Sequence, residues 1–169
     1  MAENEPEAWL RGPLAGVPPV VMPLFFTFTQ VREDLERHTS GLTTDDVWRR
    51  VGNTAPLGFH LRHIPGSVDR LLTYLEERSL SEEQLQALKQ ELSPGADVAT
   101  LLGEMRSRFE NAEHRLKNLS FDDLHAPRYI GRKRLPTTVL GLLVHIAEHT
   151  QRHLGQAITT TKLLKNSTE

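Results

Sequence analysis

Apolar residues recur at steps of three and four along four long stretches of this 169-residue chain. None alternates convincingly in the two-residue period of a half-buried strand. Leu24, Phe25, Phe28, Val31 and Leu35 place a first amphipathic helix from about Pro23 to about Thr39, with Gly41 just past it as a stop. Thr54-Ala55-Pro56 reads as the start of a second, with Thr54 as N-cap and proline tolerated in the first turn. That helix carries Phe59, Leu61, Ile64, Val68, Leu71, Leu72 and Leu75 and ends near Arg78. Pro65 and Gly66 interrupt it, and an internal proline removes a backbone hydrogen bond at about 3 kcal/mol unless compensated. The interruption reads either as a kink that aims His63 or as a tolerated packing irregularity. Asp97 caps a third helix through Val98, Leu101, Leu102, Met105, Phe109, Ala112 and Leu116. Pro136-Thr137-Thr138 opens the fourth, which continues to about Leu164.

Shorter pieces lie between these four. Thr43 to Val51 holds a short helical turn with Trp48 as an anchor, and Ser81-Glu82-Glu83-Gln84 is a capping box opening a helix to about Leu92. Ser120 to Pro136 is a connection of about 17 residues with a small hairpin or turn around Ile130-Gly131. Loops of that length are often functional. Pro6, Pro13, Pro18 and Pro19 make residues 1–19 a flexible arm, from which Trp9 and Leu10 could dock on a neighbouring surface. Residues 20–164 form one domain on this reading, and 165–169 are a frayed tail. A four-helix bundle is the economical architecture, with active groups projecting inward from facing helices.

Charge and composition remove several function classes. A formal net charge of −2 gives no electrostatic footprint for nucleic acid, and the one basic cluster, Arg132-Lys133-Arg134, is too short to supply one. Cysteine is absent, which excludes disulfides, a protein thiolate nucleophile and any cysteine metal ligand. Any thiol chemistry must therefore arrive with the substrate. No run approaches the roughly 18 apolar residues of a membrane span. The acidic start, Met1 to Glu7, leads us to expect no signal peptide and a cytoplasmic protein.

Three of the eight histidines fall at a constant spacing of four in the last helix: His145, His149 and His153. A step of four advances one turn with about 40° of drift, so the three form a ladder on one face. Adjacent rungs, roughly 6 Å apart, can share one metal ion. His145 and His153 stand about 12 Å apart along the axis, so one straight helix cannot wrap all three around one ion. His60 and His63 lie on the second helix. Two histidines from the last helix and one from the second would supply three neutral nitrogen ligands with open positions, the arrangement of a catalytic metal. The alternative is a helix whose polar side simply contains histidines. H-E-x-x-H is absent, since Ile146 follows His145 and Thr150 follows His149, so a zincin protease fails at its general base. Ser67 and Arg70, four and seven residues past His63, lie near its face if the helix is only mildly bent. Arg70 suits either a substrate carboxylate or a neighbouring acid. Arg152 and Gln156 are placed to orient a histidine or line a pocket, and Glu148, offset by about 100° from His149, is not placed as a base. His114 and His125 read as exposed.

Leu61-Arg62-His63-Ile64-Pro65-Gly66-Ser67 followed by Asp69-Arg70-Leu71-Leu72 resembles the second-helix motif of the DinB/YfiT-like superfamily. His145-Ile146-Ala147-Glu148-His149-Thr150-Gln151-Arg152-His153-Leu154-Gly155-Gln156 is similar to that family's closing H-x-x-x-H-x-G-Q signature. Helix number, order and chain length agree, so the resemblance covers nearly everything after about Pro19. Carried across position by position, it implies metal ligands at His63, His149 and His153, with His145 on the pocket wall. His60 remains an alternative to His63. The substrate-pocket candidates are thus His60, Ser67, Arg70, His145, Arg152 and Gln156.

The expected fold is all-α, a four-helix bundle of the up-down-down-up type with short extra helices and a long loop before the last helix. The resemblance implies a divalent-metal-binding protein, usually a homodimer. It implies activities that include thiol-dependent transfer, with a low-molecular-weight thiol as nucleophile, and metal-dependent hydrolysis of a small molecule. The alternative function is a non-catalytic metal-binding or stress-related interaction bundle. Imidazole ligands suit zinc, nickel, iron and copper alike. The metal expected here is zinc or nickel first, with iron or manganese after them. No nucleic acid and no membrane is expected as a partner.

Overall fold

The computed structural model describes residues 5–166, and the first four residues of the expected arm and the last three of the expected tail lie outside the described residues. The chain is mostly helical, with six α-helices and one small two-stranded sheet among the described residues. The four long helices are α1 (Met22–Thr39), α3 (Leu57–Leu75), α5 (Val98–Lys117) and α6 (Val139–Asn166). Two short ones, α2 (Thr44–Trp48) and α4 (Glu82–Lys89), lie between them. α1 and α3 each pack on both α5 and α6. The apolar stripes meet in one core that holds Leu24, Phe28, Leu35, Leu61, Ile64, Leu72, Leu101, Met105, Phe109, Leu142 and Leu154. Phe28 and Phe109 stack there with ring centroids 4.6 Å apart. Among the described residues, no helix is long and apolar enough to cross a membrane.

Helix starts follow the expected chemistry at most places. Thr43 and Ser81 each close a capping box, with Asp46 and Gln84 respectively, and the Asp97 side chain accepts from the Thr100 N–H. The second long helix differs from expectation at two points. Thr54 is not its cap, because the Thr54 hydroxyl donates back to the Val51 carbonyl and α3 begins after Pro56. Nor do Pro65 and Gly66 interrupt it, for α3 runs unbroken across both. The proline there is buried among core side chains, and that burial offsets the lost backbone bond.

The long connection before α6 has structure of its own. β1 (Pro127–Ile130) pairs antiparallel with β2 (Leu135–Thr138), Arg128 opposite Thr137. Gly131 and Arg134 take positive φ at either end of the turn, and the Arg134 guanidinium lies over the Tyr129 ring. Pro136 therefore sits in a strand rather than at a helix start, and the Thr138 hydroxyl takes over, accepting from the Gly141 N–H in the first turn of α6. Arg128 donates to the Leu75 carbonyl and ties the hairpin to the end of α3. At the other terminus a short turn, Ala8–Leu10, lies against α1. There the Ala8 N–H donates to Gln30, and Arg11 makes a paired contact with Glu33.

Candidate metal centre

Two helices meet with their histidines facing. His60 Nδ1 lies 3.1 Å from His153 Nδ1, and His63 Nε2 lies 3.0 Å from His149 Nε2. Numbers rise along α3 as they fall along α6, so the helices run antiparallel here. A step of three on one and four on the other then keeps both pairs on the contacting faces. One ring nitrogen from each of His63, His149 and His153 lies within 4.8 Å of the others. Nitrogens bound to one tetrahedral ion at about 2.0–2.1 Å stand roughly 3.3 Å apart, close to the His63–His149 spacing. His60, 4% exposed, is buried behind His153. Both His60 and His63 reach α6, His60 against His153 and His63 against both His149 and His153.

Electrostatics keep these rings available as ligands. Burial, followed by the neighbouring His153 and His63, pushes His60 down to about 4. Burial pushes His149 down to about 4, with His153, His63, His145 and Arg152 adding to it. Burial and then His63 and Arg152 bring His153 to about 4, against a weaker opposing pull from Glu91. All three are neutral at pH 7 and present lone pairs. His149 also keeps one buried nitrogen, Nδ1, with no hydrogen-bond partner. A buried polar atom left unpaired costs free energy, so the cluster does not satisfy itself as a hydrogen-bonded network. Three imidazoles from two helices, with His149 and His153 held neutral and His149 keeping an orphaned nitrogen, fit a divalent ion of borderline softness.

The remaining candidates divide between the interior and the surface. Ser67 and Arg70 are buried on α3, and Arg70 pairs with Glu91 at 2.8 Å. His145 is exposed on α6, its ring 5.2 Å from that of His149, with Nδ1 2.8 Å from Glu148. Arg152 is exposed and paired with the same Glu148, and Gln156 is exposed one turn further on. His114 and His125 are exposed, as their sequence context indicates.

Sequence reasoning missed Glu91 and underrated Phe59. Glu91, in the connection after α4, places one carboxylate oxygen 2.7 Å from His63 Nδ1. Burial pushes this carboxyl up, but the His63 hydrogen bond and the Arg70 charge outweigh it and hold it below the usual range. Phe59 stacks on the His63 ring, centroids 4.9 Å apart, and meets His60 and His153 edge-on. Phe59 was visible only as one more apolar residue of the helix, and nothing in the spacing marks Glu91. The family model described as the DinB superfamily matches residues 27–157, which runs from within α1 through most of α6 and takes in all four clustered histidines. No curated protein matches the chain.

Proposed function

The chain belongs to the DinB superfamily, and from that premise we propose that it binds a divalent metal ion through His63, His149 and His153 and uses it in catalysis. The reaction class is transfer, with a low-molecular-weight thiol as nucleophile, or hydrolysis of a small molecule. The observation that carries the reading is the convergence of three ring nitrogens within 4.8 Å from two different helices. A divalent ion at that point supplies Lewis acidity, which makes a water or a thiol nucleophilic near neutral pH. The chain supplies the surroundings. Phe59 covers one face of His63 and keeps water from it, while His60 backs His153 and limits its rotation. Absence of cysteine in the sequence leaves an exogenous thiol or water as the nucleophile.

The finer parts of the reading rest on the family. They comprise an up-down-down-up four-helix bundle spanning 20–164, a homodimer, zinc or nickel before iron or manganese, and a cytoplasmic setting where small thiols stay reduced. The pairing of α1 and α3 each with both α5 and α6 fits four helices around one core, and the antiparallel run of α3 and α6 fits that threading. No nucleic-acid or membrane partner is proposed. A second reading, a non-catalytic metal-binding or stress-related interaction bundle, draws on the depth of the cluster, with His60 buried and the other three rings only partly exposed.

Elemental analysis of the purified protein tests the first step. About one divalent ion per chain is expected, lost on His149→Ala; less than about a tenth of an ion in both proteins overturns the proposal. Incubating the loaded protein with electrophiles and a panel of small thiols then separates the two readings, since only the enzyme turns over.

A further inference from the structure

Residues 81–97 form an excursion between α3 and α5 that inverts the usual pattern of burial. α4 itself has no buried residue, Leu88 and Leu92 are exposed, and the one buried side chain of the whole segment is a carboxylate: Glu91, 5% exposed. Burying an acid is costly unless it is paired and hydrogen-bonded, whereas burying a leucine is favourable. A segment that leaves Leu88 and Leu92 exposed while it inserts its acid points to what the acid does.

The surroundings are built around that acid. One oxygen of Glu91 meets His63 Nδ1 at 2.7 Å and the other meets Arg70 at 2.8 Å. Arg62, from the same helix as both, donates to the carbonyl of Gln90 at 2.9 Å and to that of Ser93, gripping the chain on either side of Glu91. The Arg62 guanidinium lies over the Trp48 ring, whose Nε1–H donates to Ala96 further along the segment. Gly66 leaves the room, since a methyl group there would stand 3.0 Å from Arg70 and 3.1 Å from Glu91.

We propose that Glu91 is the positioning residue of His63, and that the 81–97 excursion serves to deliver it. A carboxylate can only accept, so the proton of the His63 ring resides on Nδ1 and the lone pair of the neutral ring on Nε2. That is the nitrogen turned toward His149. A second partner on a ligating histidine fixes tautomer and ring plane and raises the basicity of the ligating nitrogen. The proposal rests on the metal-binding reading above for its purpose, but the tautomer of His63 is a property of the metal-free chain.

Two measurements test it, each on the full-length protein. Long-range ¹⁵N–¹H spectra of the metal-free protein report the His63 tautomer. The wild type is expected to be in the Nδ1–H form and Glu91→Gln to lose that preference. Competition with a chromophoric chelator for Zn²⁺ reads affinity, with a loss of about 10- to 100-fold expected for Glu91→Gln. Because that variant leaves Arg70 buried and unpaired, the double variant E91Q/R70Q is measured beside it, with the same loss expected. Gly66→Ala, which crowds Arg70 and Glu91 without touching His63, is expected to weaken Zn²⁺ several-fold. Leu92→Ser, on the same segment but exposed, is expected to bind as the wild type does. Zn²⁺ affinity within twofold of wild type in both Gln variants, with an unchanged His63 tautomer, overturns the proposal. An equal loss in Leu92→Ser overturns it too. A wild type that binds no Zn²⁺ refutes the metal reading instead, and the tautomer measurement then decides Glu91 alone.

Discussion

At the scale of single residues, His60, His149 and His153 are each held at about 4, against 6.5 for the ordinary side chain. Between those values the unfolded chain binds protons that the metal-free native state refuses, so stability rises with pH and falls as pH drops. The buried carboxyl of Glu91 and the partly buried one of Glu76 act lower. Glu91 and Glu76, depressed in the fold, lose their contribution only from about 4.5 downward. The window from 6.5 to 4.5 therefore belongs mainly to histidines, with partly buried His38 acting in the same direction. In EDTA the melting temperature is expected to fall steadily across that window, and His149→Gln to flatten the slope. A flat melting temperature from pH 6.5 to 5 would show that these rings titrate normally. The shared face of His149 and His153 was legible because a period of four on a helix is geometry in one dimension. His63 was reached only through the family resemblance, spacing alone leaving His60 beside it. Glu91 was not legible, since its role depends on which segment crosses α3, and Leu85, Leu88 and Leu92 around it spell an ordinary apolar stripe.

At the scale of elements, α3 does most of the positioning, carrying His60, His63, Arg62, Gly66 and Arg70 on one continuous helix. It is located by Trp48 of α2, whose ring packs flat against Gly58, where a methyl group would stand 2.8 Å from three ring carbons. Alanine at a helical glycine gains about 1 kcal/mol of intrinsic propensity, while overpacking costs about 1–3 kcal/mol. The indole cannot retreat freely, because its N–H is held by the Ala96 carbonyl at 2.8 Å. Gly58→Ala is therefore expected to destabilise by about 1 kcal/mol net, read as a lower urea midpoint with a shifted Trp fluorescence spectrum in the native state. A rise in midpoint would mean that the ring moves at no cost. Caps such as Ser81 and Asp97 were readable because side-chain capping is local. The two misjudged points of α3 were not local. Pro65 is tolerated because of core burial supplied by other helices, and Thr54 is diverted from capping by a bond to Val51. The hairpin before α6 was legible only as a small hairpin or turn around Ile130-Gly131, its strand bounds unassigned, because the strands are four residues each and owe their position to α3 and α6.

At the scale of the whole molecule, the histidine cluster joins parts of the chain that are far apart in sequence, His63 and His149 being 86 residues apart. An ion held by both helices is absent from the unfolded chain, where its ligands are scattered, so its binding free energy adds to folding free energy. At a free concentration a hundred times its dissociation constant, one bound ion contributes about 2.7 kcal/mol. The apolar contacts of α3 and α6 already form one core with α1 and α5, so the gain spreads to the cooperative unit rather than to a single loop. Urea unfolding followed by circular dichroism is expected to show a midpoint that climbs with the logarithm of Zn²⁺ or Ni²⁺ concentration. The denaturant slope should stay unchanged, because the surface exposed on unfolding is the same. His153→Ala should abolish the climb. A midpoint that rises equally in that variant would place the ion on the surface, at pairs such as His145 and Glu148, and the two helices would then owe their alignment to apolar packing alone.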